Sequence, residues 1–426
     1  MAADVKEMYH QFERTVFGEM SAPSRANYTM RRNDDENGED LPLGVKAVYK
    51  CFYMDDGLSS TDSREEAIEM RKQMTMLLRR GGFHLHKWLT NYLDVLATIP
   101  QQDRFPRFLE LSEDKLPTDR TLGVIWDAQE DMLRFTGLKG DPGTTKRKIL
   151  SQVFSVWDSR GLLLSFTIRS KIILQSLNLI KYGWDDELKE ADLQEWREWH
   201  RETEKLDEVR IPRTLFQEQK PIRETALHVF CDASQDAYGA CTYLRRAFTD
   251  DTVECSLIAG KGRLSPVKLL SICWLELMGA LVVVRLAETL VKEMTTKIEK
   301  IIFWSDSTTV LHWIRQISST YKAFVGNRVS EIHTIMSNLE TSLGAGTVSW
   351  RYVPTEANPA DDISRGLGPT ELCKGFRYNS GPKFLYESAE LWPENKVEAP
   401  SEKDEVSEKK KGRWVGASQE NEVLLG

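Results

Sequence analysis

The chain has 426 residues, an apolar fraction of 41% and a formal net charge of −8. At this length we expect two or three domains, each able to bury its own core. The most apolar stretch, residues 280–291, is interrupted by Arg285 and Glu288, which argues against a transmembrane helix. The N-terminal residues lack an apolar segment, and the six cysteines form no C-x-x-C pair. We therefore expect an intracellular protein, cytoplasmic or nuclear and not secreted, with reduced thiols.

The N-terminal part predicts a small α+β unit. Residues 49–57 indicate a strand that runs into a tight turn, because Asp56-Gly57 is a strong hairpin signal. One of residues 61–63 can cap a helix that ends at Gly81. Residues 83–89 then alternate as a strand.

The middle of the chain, residues 141–223, predicts amphipathic helices, with apolar runs at 153–164 and 168–180. Residues 146–148 are all basic and could touch a phosphate backbone. A solvated charged turn is an equally good interpretation of them. Residues 210–223 contain two prolines and indicate a linker.

Four acidic residues in the second half of the chain each have a different setting. Asp232 and Asp306 follow strand-like apolar runs, and Glu276 lies inside a helix-like run. Asp361 comes soon after Pro359, which could occupy the first turn of a final helix. A carboxylate at the end of a strand projects from the sheet edge, where a packed scaffold can hold it still.

Such carboxylates would repel one another if they converged, unless divalent cations held them together. Oxygen ligands suit Mg²⁺ or Mn²⁺, and paired ions of this kind serve phosphodiester chemistry. The pattern therefore favours a two-metal nuclease. The alternative is four unrelated surface carboxylates, since the chain has 65 acidic residues. The overall negative charge argues against tight binding of nucleic acid without metal.

Four motifs carry these residues: FCDAS at 230–234, LEL at 275–277, WSDS at 304–307 and NPADDISRG at 358–366. Together they resemble the ribonuclease H domain of retrotransposon polyproteins. NPADDISRG and the preceding RYVPTEA point to the BEL/Pao group. The resemblance implies a ribonuclease H-like mixed five-stranded sheet with flanking helices.

The same resemblance implies an endonuclease that hydrolyses RNA in RNA–DNA hybrids with two Mg²⁺ or Mn²⁺ ions. Its catalytic and metal-binding residues would be Asp232, Glu276, Asp306 and Asp361. Asp362 would lie near the same helix N-terminus without a catalytic role. Many ribonucleases H carry a mobile histidine after the Val-Pro of the last strand. This sequence has Thr355-Glu356 at that position, so water or Glu356 would have to transfer the proton instead of a histidine.

The sequence YMDD at 53–56 resembles the Y-x-D-D turn of reverse transcriptases. Asp55 and Asp56 would then be catalytic metal ligands, with Asp4 as the third, because residues 4–11 resemble the segment of the first polymerase aspartate. Only residues 12–15 separate that segment from Val-Phe-Gly at 16–18, where the family has a few dozen residues. The fingers are also missing. We therefore expect a polymerase remnant whose RNA-directed DNA synthesis is lost.

These observations divide the chain into four predicted parts. Residues 1–135 would be a partial reverse-transcriptase palm, 136–223 a helical thumb or connection (the Pao region), and 224–368 the ribonuclease H-like domain. Residues 369–426 would be a linker and disordered tail. The expected partner is an RNA–DNA hybrid, with fingers and integrase as polyprotein domains missing from this chain. The competing hypothesis is a retroelement remnant that is inert or only binds nucleic acid.

Overall fold

The computed structural model describes residues 1–6, 8, 22–105, 118–121, 124–373, 377–395 and 408–409. Contacts within the chain divide it into two compact units. The N-terminal unit comprises Met1–Asp141, Phe154–Ser159 and His200–Leu215. The C-terminal unit comprises Pro142–Val153, Arg160–Trp199 and Phe216–Gly426. The Val16-Phe17-Gly18 segment and most of the expected tail lie outside the described residues.

The described part of the N-terminal unit has two four-stranded sheets, with strand orders β2-β3-β1-β4 and β5-β6-β7-β8. Its strands are β1 (Ala2–Val5), β2 (Phe52–Tyr53), β3 (Asp56–Leu58), β4 (Leu85–Leu89), β5 (Thr118–Thr121), β6 (Val124–Asp127), β7 (Met132–Arg134) and β8 (Arg210–Pro212). Its α-helices are α1 (Ala22–Asn37), α2 (Pro42–Cys51), α3 (Arg64–Arg80) and α4 (Leu93–Ala97).

Helix α3 follows its local sequence signals. Ser63 caps it, since the Ser63 side chain accepts a hydrogen bond from the Glu66 backbone amide at 3.1 Å, and Gly81 ends it. The strand expected over residues 49–57 is partly wrong, because residues 49–51 complete α2. Pro42 starts that helix, and its buried Ala47 and Val48 favour helical over extended backbone.

Two other expectations from the sequence also differ from the structure. The tight turn lies at Met54, whose φ is 56°, rather than at Asp56-Gly57. The linker expected over residues 210–223 includes β8, which pairs antiparallel with β7.

The C-terminal unit is built around a five-stranded mixed sheet in the order β11-β10-β9-β12-β13, as far as the described residues show. Strand β9 pairs antiparallel with β10 and parallel with β12, and β12 pairs parallel with β13. The strands are β9 (Ile222–Ala233), β10 (Ala237–Phe248), β11 (Val253–Leu264), β12 (Lys300–Ser305) and β13 (Val348–Tyr352). The mixed sheet expected from the sequence is confirmed.

The remaining α-helices begin before this sheet in the sequence and continue after it. They are α5 (Lys146–Ser155), α6 (Leu164–Leu179), α7 (Glu190–Glu202), α8 (Ile272–Glu293), α9 (Thr308–Arg315), α10 (Ala323–Leu343), α11 (Asp361–Arg365), α12 (Pro369–Cys373) and α13 (Arg377–Ser380). Helix α8 packs on β9 and β10, while α6 packs on β11 and α11.

The central strand β9 is buried on both faces from Thr225 to Asp232, as expected for a strand covered by helices on both sides. Residues 377–395 fall in the segment expected to be a linker, yet Tyr378 and Leu385 are fully buried there. Among the described residues, no helix has both the length and the apolar character needed to cross a membrane.

Candidate active site

The ends of two parallel strands bring Asp232 and Asp306 to one edge of the sheet. Asp232 is the penultimate residue of β9, and Asp306 directly follows β12, the parallel neighbour of β9. Glu276 lies near the start of α8, which packs on β9. Asp361 is the first residue of α11, so the helix starts two residues after Pro359 rather than around it.

Asp232 is the most strongly perturbed of the four carboxyl groups. Only 8% of its surface is exposed, and its Oδ2 accepts a hydrogen bond from the Ser364 hydroxyl. Burial, with the negative charges of Asp306 and Asp361, raises the pKa of Asp232 to about 7, although the Ser364 hydrogen bond opposes the rise. The proton of Asp232 is therefore exchangeable near neutral pH in the metal-free protein.

Asp306 is held by two donors from the segment after β13. The Thr355 hydroxyl donates to its Oδ2 at 2.7 Å, and the Asn358 amide donates to its Oδ1 at 3.3 Å. The same Asn358 amide nitrogen donates to the Cys231 carbonyl at 3.0 Å, which ties the ends of β9 and β12 together. Burial raises the pKa of Asp306, and nearby Asp361 adds to the effect.

The Glu276 carboxyl group is also influenced by the charge of Asp306. Its Oε2 accepts a hydrogen bond from the Ser307 hydroxyl at 2.5 Å. Burial raises the pKa of Glu276, the Ser307 hydrogen bond opposes that rise, and the charge of Asp306 adds to it. The pKa values of Asp232, Glu276 and Asp306 are thus all raised by burial and by a neighbouring carboxylate, which requires these acidic side chains to lie near one another.

Asp361 and Asp362 have different partners. Asp361 Oδ1 lies 2.6 Å from Arg365 Nε, and its Oδ2 lies 3.2 Å from Arg377 Nη2. Asp362 is only 3% exposed and receives two hydrogen bonds from Arg377, at 2.9 and 2.7 Å. Asp362 lies in the first turn of α11, as expected, and in addition it is buried in a bidentate ion pair.

Sequence reasoning missed Arg377, because its link to Asp362 forms only when the chain returns to the sheet. Its Nη1 also donates to the Glu356 carbonyl at 2.6 Å, so one guanidinium group joins α11 to the loop before it. Nothing in the local sequence around Arg377 indicates this role.

Two glycines allow the helices to approach the site. A Cβ on Gly279 of α8 would lie 3.1 Å from the Asp232 carbonyl oxygen, so that helix packs directly on the end of β9. A Cβ on Gly239, which pairs with Asp232 across the strands, would lie 2.7 Å from Ile363 in α11. Both helices that carry site carboxylates therefore depend on the absence of a side chain beside Asp232.

The four carboxylate side chains could serve as ligands of a divalent cation only if their geometry and chemistry suit one. Among the described residues, no group of three or more His, Cys, Asp or Glu side chains is arranged to hold a metal ion. The four carboxylates do supply the oxygen chemistry that Mg²⁺ and Mn²⁺ prefer, although both oxygens of Asp361 contact arginine side chains. The residues thus fit such ions in their donor chemistry, and Asp361 would have to leave its arginine partners to bind one.

The three aspartates assigned to the polymerase remnant lie in the N-terminal unit. Asp4 on β1 pairs directly with Asp56 on β3, and the Asp55 carbonyl accepts a hydrogen bond from the Val5 amide at 2.9 Å. The Asp4 carboxylate contacts Lys87 Nζ at 2.5 Å. The structure therefore brings these aspartates together, and their role as catalytic metal ligands stays a prediction.

The basic triplet at 146–148 does not form a free basic patch. Lys146 is only 4% exposed, and its ammonium group donates to the Ile180 and Tyr182 carbonyls at 2.8 and 3.1 Å. Arg147 pairs with Asp185 at 2.7 Å. Neither interpretation of the triplet anticipated a buried lysine.

Solved structures of ribonucleases H share a slight likeness with this chain. The N-terminal ribonuclease H domain of Rv2228c from Mycobacterium tuberculosis, solved as a maltose-binding-protein fusion, is 12% identical with a TM-score of 0.22. The likeness covers 33% of this chain and 94% of that one. Ribonuclease H1 from Halobacterium salinarum is 11% identical, with a TM-score of 0.20 and coverage of 33% and 93%. LC11 ribonuclease H1, solved with an RNA/DNA hybrid, is 10% identical with the same score and coverage.

A comparison with curated proteins gave no match. One family model does match: residues 145–307 fit the family described as Pao retrotransposon-like RNaseH-like domain. The matched range contains Asp232, Glu276 and Asp306, and it ends before Asp361. It also includes α6, which packs on the sheet. This match, covering less than half of the chain, supports a retrotransposon-type ribonuclease H-like domain in the C-terminal unit.

Proposed function

We propose that this protein is a metal-dependent ribonuclease H-type endonuclease that hydrolyses the RNA strand of RNA–DNA hybrids. The observation that carries the proposal is the group of acidic side chains at one edge of the mixed sheet, where burial and neighbouring carboxylates raise the pKa values of Asp232, Glu276 and Asp306. The family-model match supports the same class of reaction. The hybrid as substrate draws support from the LC11 enzyme, which was solved with one.

In this proposal Asp232, Glu276, Asp306 and Asp361 hold two Mg²⁺ or Mn²⁺ ions. Such ions, when bound, supply a water nucleophile at neutral pH and stabilise charge on the leaving oxygen. Asp232 loses its proton as the ions bind, because cations reverse the like-charge effect that raises its pKa.

Neighbouring side chains orient these carboxylates. Ser364 fixes one oxygen of Asp232, Ser307 fixes one of Glu276, and Thr355 with Asn358 fixes Asp306. The substrate would be selected by the shape of the hybrid and by its 2′-hydroxyl groups rather than by base edges.

A second candidate function is a remnant that binds nucleic acid without cleaving it. One observation favours it: Arg365 and Arg377 both contact Asp361, where a metal ligand is needed. The Thr355-Glu356 pair at the usual histidine position points the same way. We further propose that the polymerase activity is lost, because only residues 12–15 separate the two polymerase-like segments at 4–11 and 16–18, which would leave the palm incomplete and the reacting groups poorly positioned.

The test is cleavage of a labelled RNA–DNA hybrid by the full chain. We expect cleavage with Mg²⁺ or Mn²⁺, none with EDTA, and poor cleavage with Ca²⁺, whose looser coordination does not hold a tight two-ion geometry. Glu276→Gln should abolish cleavage. Glu293→Gln, which makes the same change on an exposed position of α8, is the matched control. A folded, metal-loaded protein that leaves the hybrid intact would favour the binding-only function.

A further inference from the structure

A second candidate site lies in the C-terminal unit at the opposite end of the sheet from the four carboxylates. It is a cavity of about 520 Å³. Its charged and aromatic lining residues are Arg223, Glu224, Arg245, Lys300, Arg351 and Trp392. A volume of this size is within the range of about 300 to 1,000 Å³ that is common for small-molecule sites.

The strands separate this cavity from the candidate active site. Lys300 is the first residue of β12, whereas Asp306 follows its last residue. Arg223 likewise lies at the start of β9, and Asp232 lies near its end. At about 3.3 Å per residue, the six residues of β12 place the two sites roughly 20 Å apart. A ligand in the cavity would therefore not touch the carboxylates.

Arg245 is the most buried cation of the lining, with 4% of its surface exposed. Its Nε and Nη2 donate to the carbonyls of Leu385 and Glu387 at 2.6 and 3.0 Å. Its carboxylate partner is Glu224, 3.9 Å from Nη1, and Glu224 also pairs with Lys300. One carboxylate thus faces two cations.

Arg351 adds a further positive charge without a carboxylate. Its Nη2 donates to the Pro393 carbonyl at 3.1 Å, and its Nε is buried without a hydrogen-bond partner. The guanidinium groups of Arg351 and Arg245 lie 5.6 and 5.4 Å from the centre of the same Trp392 ring. Across the described ranges, no aspartate or glutamate forms an ion pair with Arg351.

The cavity therefore has more positive than negative charge in a chain whose overall charge is −8. Buried charges are normally paired, because an uncompensated charge in a poorly solvated site is costly. Arg351 has no carboxylate partner, and Arg245 and Lys300 share Glu224, so an anion bound between these three cations would supply the charge that they lack.

We propose that this cavity binds the phosphate group of a nucleotide, either free or at the end of a strand. Guanidinium groups present planar pairs of donors that match phosphate oxygens, and the Lys300 ammonium group adds a point charge. The cavity is larger than one phosphate, so it leaves space for the attached nucleoside. The proposal does not depend on the nuclease function, since it uses none of the four carboxylates.

The experiment is calorimetric titration of the full chain at constant ionic strength. The ligands are inorganic phosphate, adenosine 5′-monophosphate, and one short single-stranded oligonucleotide with either a 5′-phosphate or a 5′-hydroxyl end. Adenosine is the control without phosphate. Binding of adenosine 5′-monophosphate but not adenosine is the expected result. A preference for the 5′-phosphorylated oligonucleotide over its 5′-hydroxyl form would identify strand ends as the source. Binding confined to phosphate and the mononucleotide would identify the free nucleotide.

Two variants should change the affinity in opposite directions. Lys300→Ala removes a donor and should weaken binding of adenosine 5′-monophosphate roughly tenfold. Glu224→Gln removes the competing carboxylate and should tighten it. Lys292→Ala removes one exposed positive charge on α8, away from the cavity, and should leave it unchanged. Circular dichroism and thermal unfolding confirm that each variant is folded.

The proposal is overturned by any of three outcomes with folded protein. These are no binding of adenosine 5′-monophosphate, equally tight binding of adenosine, or equal weakening by Lys300→Ala and Lys292→Ala. The last outcome would mean that the affinity for adenosine 5′-monophosphate depends only on the overall charge of the protein.

Discussion

Asp361 and Asp362 are adjacent in sequence but differ in environment. Asp361 is contacted by Arg365 at Oδ1 and by Arg377 at Oδ2. Asp362 is satisfied by the bidentate pair with Arg377. Neighbouring side chains on a helix point about 100° apart, and the charge of Asp361 acts on Asp232 and Asp306, whereas Asp362 makes the closer, bidentate pair with Arg377. Changing each residue to asparagine should therefore have different effects, one mainly on cleavage and the other mainly on stability.

We predict that Asp361→Asn lowers hybrid cleavage more than about a hundredfold and changes stability little, because it removes a metal ligand. Asp362→Asn should instead lower the free energy of unfolding by about 2 kcal/mol, because it removes the nearer of the two carboxylates that pair with the half-buried Arg377. Cleavage assays and urea unfolding of both variants check this. If Asp362→Asn abolished cleavage at unchanged stability, the assignment of the metal ligand to Asp361 would be wrong.

The raised pKa of Asp232 gives a pH dependence to the stability of the metal-free protein. A carboxyl group whose pKa is about 7 when folded, against 3.8 ordinarily, binds its proton more tightly in the folded state. The stabilisation is complete below pH 4 and is lost as the pH rises through 7.

We predict that metal-free wild-type protein loses on the order of 2 to 4 kcal/mol more stability than Asp232→Asn between pH 4 and pH 8. Urea unfolding in EDTA at both pH values measures the difference. Asp236→Asn, at an exposed position near the same strand end, should behave like the wild type. Parallel pH profiles for wild type and Asp232→Asn would contradict the predicted shift.

At the scale of elements, the segment from α13 onward holds the sheet and α11 together. Tyr378 is fully buried, and its carbonyl accepts a hydrogen bond from the Tyr243 hydroxyl at 2.6 Å. Leu385 accepts one from Arg245, and Arg377 pairs with Asp362. These contacts make the segment part of the fold rather than a linker.

We predict that truncation after residue 376 lowers the free energy of unfolding by at least about 4 kcal/mol, because several buried hydrogen bonds and apolar contacts are lost together. Truncation after residue 410 keeps all of these contacts and should change the stability by less than about 0.5 kcal/mol. Denaturant unfolding of the two truncated chains beside the full chain tests the difference. Equal stabilities would show that residues 377–395 contribute little.

Local signals explain why some elements could be predicted and others could not. Ser63 caps α3, and the apolar runs before Asp232 and Asp306 became strands, because caps and alternating apolar residues act over a few neighbours. Residues 49–51 were assigned wrongly because the helix that contains them starts at Pro42. Arg377 was missed because its partner Asp362 lies 15 residues earlier, a contact that only the folded chain creates.

At the scale of the whole molecule, the predicted ribonuclease H-like domain, residues 224–368, is shorter than the compact unit that contains it. That unit also includes residues 160–199 and 377–395. Phe166 and Ile168 of α6 are fully buried, and Gly262 of β11 approaches Ile168 closely. Without α6, this face of the sheet would be exposed to water.

We therefore predict that a fragment of residues 224–368 does not unfold cooperatively, whereas a fragment of residues 142–410 does and retains hybrid cleavage. The physical reason is the apolar area that the shorter fragment exposes. Circular dichroism during urea unfolding and size-exclusion chromatography distinguish the fragments. A monomeric, cooperatively folded 224–368 fragment would show that α6 and residues 377–395 are dispensable.

The last prediction concerns DNA synthesis by the full chain. Asp4 and Asp56 are cross-strand neighbours, but Lys87 contacts the Asp4 carboxylate, so one of the three expected metal ligands is already paired with a cation. Reacting groups that are not held near attack distance lose most of the rate that positioning provides. We expect no primer extension on an RNA template with Mg²⁺ or Mn²⁺, while the same preparation cleaves a hybrid. Extension that disappears in Asp55→Asn and Asp56→Asn would instead show that the shortened N-terminal unit still works as a polymerase.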